Sequence, residues 1–70
     1  MLLPYQEHVL QEKQELDDRI LRLTEFTLSH NFEGVNLYEQ QRMSKQLRIM
    51  QELSSVLGDR IANFGEFKNG

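Results

Sequence analysis

The chain has 70 residues, a net charge of −3 and no cysteine. A chain this short makes one small domain with a marginal core, and disulfides are excluded as its staple, which leaves assembly with further copies. The acidic balance argues against binding bulk nucleic acid, which needs a basic footprint.

Pro4 is tolerated in a helix only in the first turn, so the first helix is predicted from it, over about residues 4–29. Glu7 falls in the opening turns, where a negative charge suits the helix dipole. Tyr5, Val9, Leu16, Ile20, Leu23 and Phe26 form the apolar stripe, broken at Glu12 and Lys13. A second line runs through Leu10, Leu21 and Leu28, so the apolar face is wider than one partner helix covers. Glu15 with Arg19 and Asp18 with Arg22 are expected as i,i+4 ion pairs on the outer face.

Residues 30–36 are the predicted turn, with Asn31, Gly34 and Asn36 as turn formers. Phe32 and Val35 are expected to fold back beneath it. His30 is placed to serve the last carbonyls of the first helix. Asn36 with Glu39 three residues on reads as a variant capping box.

The second helix is predicted over about residues 37–64. Met43, Leu47, Met50, Leu53, Leu57, Ile61 and Phe64 recur at spacings of three and four, the densest apolar pattern in the chain. Gly58 is either a tolerated surface glycine or a close approach at a helix or subunit contact. Gly65 is expected as the residue just past the helix end. The tail, 65–70, is expected to fray, with Phe67 exposed or docked on a neighbour.

The chain shows little catalytic chemistry. His8 and His30 stand alone, and no cysteine is present, so no metal site is expected. No hydroxyl has a recognisable base beside it, and the four glycines are scattered rather than gathered in a phosphate loop. No cofactor and no enzymatic activity are expected. Arg42, Lys45 and Arg48 follow at i, i+3 and i+6 on one side of the second helix, with Tyr38 one turn before Arg42. This is a solvated face in one reading. In the other it is an anion site, in which arginine forks hold phosphate and Tyr38 or Tyr5 stacks on a base. Met43 and Met50 read as core, or as a flexible partner-binding groove.

Residues 5–23, YQEHVLQEKQELDDRILRL, and 46–64, QLRIMQELSSVLGDRIANF, carry a resemblance. The pattern is Glu12-Lys13 followed by Leu16, then Phe32, Gln46-Leu47, Met50 and Arg60-Ile61. It resembles a group of short phage and prophage helical-hairpin proteins labelled after a gene product of a crAss-like gut phage, over about residues 5–64. That group often has a tyrosine where this chain has Leu53. The resemblance implies an accessory phage protein acting in the host cell cytoplasm. Its architecture is also similar to the phage cyclic-nucleotide sponges, oligomeric helical hairpins that sequester immune signals without cleaving them.

The expected fold is all-α: an antiparallel two-helix hairpin, one domain over residues 1–70, assembled into a homo-oligomeric helical bundle. Leu10, Leu21, Leu28, Met50, Leu57 and Gly58 are the expected oligomer interface. Arg42, Lys45, Arg48, Tyr38 and Tyr5 are the expected ligand-binding residues. The function implied is immune evasion by sequestering a host nucleotide signal at that interface. The alternative is a protein–protein inhibitor that presents its helices to a host enzyme or regulator. No apolar run approaches the ~18 residues of a membrane span. Met1-Leu2-Leu3-Pro4 lacks the charged start of a signal peptide.

Overall fold

Pro4, whose ring fixes φ near about −65°, opens the first helix, α1, which runs Pro4–Thr27 in the computed structural model. The structure describes residues 2–65. The expectations for Glu66 to Gly70, Phe67 among them, lie outside the described residues. Upstream of α1 the Leu3 N–H donates to Gln6 Oε1 at 2.8 Å, so a glutamine side chain reaches back to the chain entering the helix.

The end of α1 is tied by hydroxyls. Thr27 Oγ1 donates to the Thr24 carbonyl at 2.8 Å, and Ser29 Oγ to the Phe26 carbonyl at 2.6 Å. His30 does not serve these carbonyls. It turns outward and lies 3.1 Å from the Glu33 carboxylate, both side chains exposed. A short 3-10 turn, His30–Gly34, follows. Phe32 within it packs edge-on against Phe26, with ring centroids 6.0 Å apart.

The second helix, α2, runs Leu37–Ala62. Asn36 Oδ1 accepts from the Tyr38 N–H at 2.8 Å, which satisfies one of the orphan donors of the first turn. Glu39 does not complete a capping box, because its Oε1 accepts from Arg42 Nε at 2.8 Å. Gln40 closes the turn instead. Its Nε2 donates to the carbonyls of Phe32 and Val35 at 2.9 and 3.0 Å. At the far end Asn63 is the cap, with Nδ2 donating to the Asp59 carbonyl at 2.8 Å. Gly65 does not act as a left-handed terminator: among the described residues no glycine has positive φ.

The helices pack antiparallel into an all-helical hairpin. The seam follows a heptad rhythm of alternating three and four residues. On α1 it is Gln6, Val9, Lys13, Leu16, Ile20, Leu23 and Thr27, all buried or half-buried. On α2 it is Met43, Leu47, Met50, Ser54, Leu57 and Ile61, with Phe64 just past the helix end, likewise. The apparent break on α1 is therefore filled by Lys13 itself, which faces Ser54. Leu53 was expected in this stripe. It is 43% exposed, because one step along a helix turns a side chain by about 100° and the seam position belongs to Ser54. Tyr5 and Phe64 close the open end, edge to face with centroids 6.3 Å apart. Gln6, 7% exposed, donates to the Phe64 carbonyl at 3.4 Å beside them.

The result is a rod of 53 × 17 × 14 Å, one helix pair deep. Such a shape buries few side chains fully, and the apolar core is Val9, Leu16 and Leu57. Two apolar stripes are left outside. Leu10, Leu21 and Leu28 lie on the flank of α1 that carries Lys13 and Asp17, and all three are exposed, Leu28 to 82%. Ile49, Leu53 and Val56 lie on the flank of α2 away from Ser54, and are exposed as well. The stripes therefore open on opposite faces of the hairpin.

Candidate functional site

Arg42, Lys45 and Arg48 of α2 divide between two shallow grooves. Arg42, Lys45, Gln46, Ile49 and Met50 line one of them. The other is lined by Phe32, Leu37, Gln40, Ser44, Lys45 and Arg48. Three residues at i, i+3 and i+6 span about 120° of helix circumference. Lys45 in the middle therefore reaches both grooves, while Arg42 and Arg48 look to different sides. Arg42 is also held by Glu39, in an exposed pair that contributes little energy.

The two tyrosines are not brought together. Tyr38 is 68% exposed in the first turn of α2, one turn from Arg42. Tyr5 packs on Phe64 at the opposite end of the rod. Some twenty residues of α1 separate it from the turn, roughly 30 Å at the helical rise. Within one protomer Tyr5 cannot stack on a ligand held by Arg42, Lys45 or Arg48.

The expected interface residues also separate. Leu10, Leu21 and Leu28 share a face with Gly58, which lies alongside Lys13. Met50 is half-buried toward the other face. Leu57 is 1% exposed inside the hairpin and is spent on the seam, so it offers nothing to a second chain.

A third groove runs between the helices on the Ile49 side. Arg19, Arg22, Leu23, Phe26, Met43, Gln46 and Met50 line it. It meets the Arg42 groove at Gln46 and Met50. Neither arginine of α1 makes its expected ion pair: Glu15 accepts from Gln11 Nε2 at 3.1 Å, and the ion pairs among the described residues involve other cations. The signal for this groove was present in the sequence, since Arg19, Arg22 and Phe26 lie on one side of α1. It shows only once α2 is docked beside them.

Among the described residues no group of three or more histidines and acids is placed to hold a metal. Among them, too, no helix is long and apolar enough to cross a membrane. No curated protein and no solved structure matches the chain. The model of one family, Sequestin, matches residues 3–63, which takes in both helices and the turn, and the chain belongs to the Sequestin family.

Proposed function

We propose that the protein is a non-catalytic binder that sequesters a host nucleotide immune signal at an interface between copies of the chain. The family name supports a sequestering role. The observation that carries the nucleotide reading is the position of Lys45, shared by two grooves with Arg42 in one and Arg48 in the other. Cations on an otherwise acidic chain favour an anionic ligand, and arginine favours phosphate. Both grooves are shallow, so a single hairpin touches a ligand from one side only. A second copy laid over the apolar stripe beside them supplies the other wall. In this reading the protein is a phage accessory factor that acts against defence signalling in the host cytoplasm.

Isothermal titration against cyclic dinucleotides, cyclic trinucleotides and cyclic ADP-ribose species tests it. Tight binding is expected, with the ligand recovered intact after the protein is denatured. Lys45→Glu should weaken that binding while helical content is kept. A panel without binding overturns the reading. The second reading is an inhibitor of a host enzyme or regulator, favoured by the exposed Ile49, Leu53 and Val56. It predicts silence across the nucleotide panel and stoichiometric capture of one host protein that is lost in Leu53→Glu.

A further inference from the structure

We infer that the groove between α1 and α2 is a base-and-phosphate site in which Arg19 and Arg22 of the first helix hold phosphate. The inference rests on the nucleotide reading above and gives that site its main cations on α1.

Arg19 and Arg22 are neighbours on one edge of α1 and are exposed. Among the described residues neither is engaged by a carboxylate. Two guanidinium groups one turn apart, neither in a salt bridge among the described residues, suit a multiply charged phosphate ligand, which each can grip bidentately. Below them Leu23, Phe26, Met43 and Met50 form a half-buried apolar floor. Thioethers adapt to and attract the edge and face of a planar ring, and a phenyl ring adds edge-to-face packing.

Gln46 stands at the rim. Its Nε2 makes only a weak contact with Met50 Sδ, at 3.8 Å. Its carbonyl oxygen and its second N–H remain for the edge of a base. Beyond Gln46 lie Arg42 and Lys45 in the adjoining groove. The cations therefore stand on both sides of an apolar floor with one amide beside it. The ligand class that matches is a purine nucleotide carrying two phosphates, its ring on the methionines and a phosphate toward each bank. A lone arginine next to apolar surface often only covers it with its stem. Here there are two, and the cations recur on the opposite bank.

The test uses the full chain with methyl-labelled methionine, titrated with cyclic di-AMP, cyclic ADP-ribose and ADP. At least one of these is expected to shift the methyl signals of Met43 and Met50. Arg19→Gln and Arg22→Gln should each weaken it by about ten-fold or more, the scale of one charge-assisted hydrogen bond. Arg60→Gln, in the last turn of α2 and outside the three grooves, should bind as the wild type does. All three residues are exposed, so the helical signal should be unchanged in every variant. A nucleotide that binds equally well to Arg19→Gln and Arg22→Gln, or that moves neither methyl, overturns this site and leaves nucleotide sequestration standing. Absence of binding by all three probes overturns this site, and silence of the cyclic trinucleotides as well overturns the reading on which it rests.

Discussion

Lys13 Nζ lies 2.9 Å from Ser54 Oγ, a hydrogen bond between the two helices at a layer where both carry a polar residue in the seam. Asp17 completes the layer. Its Oδ2 accepts from Lys13 Nζ at 2.8 Å, and its Oδ1 from Ser54 Oγ at 2.5 Å. A heptad seam is nearly self-similar, so two helices could pair in several registers. A slip of seven residues would set Lys13 against Leu47 or Ile61 and leave its ammonium beside an aliphatic chain. The polar layer thus favours one register, at the expense of the apolar contact that two leucines would make there.

The charge state of Asp17 should be visible in stability. The hydrogen bond from Lys13, and then that from Ser54, hold its carboxyl below the usual range. A carboxyl with a depressed folded-state pKa adds stability above its unfolded value, about 3.9. That contribution is lost as pH falls through the folded value. The thermal midpoint of the wild type should therefore exceed that of Asp17→Asn near neutral pH, and the two should converge in acid below about pH 4. Parallel curves across that range would mean the layer is not formed in solution.

Leu57 carries the largest single burial in the hairpin, at 1% exposure between Val9, Leu16 and the half-buried Ile61 and Phe64. Leu57→Ala should cost about 2–5 kcal/mol, the range for a leucine truncated in a packed core. Leu57→Asp should abolish the cooperative melt, since a buried unpaired carboxylate costs more again. A melting temperature within a few degrees of the wild type for Leu57→Asp would contradict this seam.

The hairpin was legible because its signals are local and redundant. Pro4, the turn residues 30–36 and two apolar rhythms all point to the same pair of helices. The seam at Leu53 was not, because apolarity alone prefers a leucine over its neighbour Ser54. Only the partner helix, with Lys13 opposite, decides between them. Ile49 and Val56 were missed for the same reason: once Leu53 is assigned to the core, nothing marks a second stripe on α2. The basic cluster was legible as composition and not as geometry. Three cations within seven residues of a helix look gathered in sequence, yet about 120° of arc sends Arg42 and Arg48 to different grooves.

Gly58 separates two accounts of the subunit contact. A Cβ built there would lie 3.5 Å from Lys13 Cε, an ordinary contact, and no backbone approaches it within the hairpin. Alanine is favoured over glycine inside a helix by about 1 kcal/mol. Gly58→Ala should therefore raise the melting temperature and leave the assembly intact. If a second chain instead packs its backbone against this glycine, the same variant should dissociate the assembly, which sedimentation would show.

The last prediction concerns assembly itself. The rod has two exposed apolar stripes, Leu10, Leu21 and Leu28 on one face and Ile49, Leu53 and Val56 on the other. Covering one leucine contributes roughly 1.5–3 kcal/mol, and among the described residues the buried apolar side chains are Val9, Leu16 and Leu57. The wild type should therefore sediment as an oligomer at micromolar concentration. The two faces are distinguishable. Ile49, Leu53 and Val56 follow one another at four and three residues, a continuous strip that a copy of the same helix can mesh with. The leucines of α1 are spaced by eleven and seven residues, with Gln14 and Asp17 between them. The strip on α2 is thus the better seam, and Leu53→Glu should release monomers with a lower melting temperature. Leu21→Glu, on the sparser face, should leave the smallest assembly intact and remove only higher species. The reverse pattern would place the subunit contact on α1, and a well-folded monomeric wild type would show that neither stripe drives association.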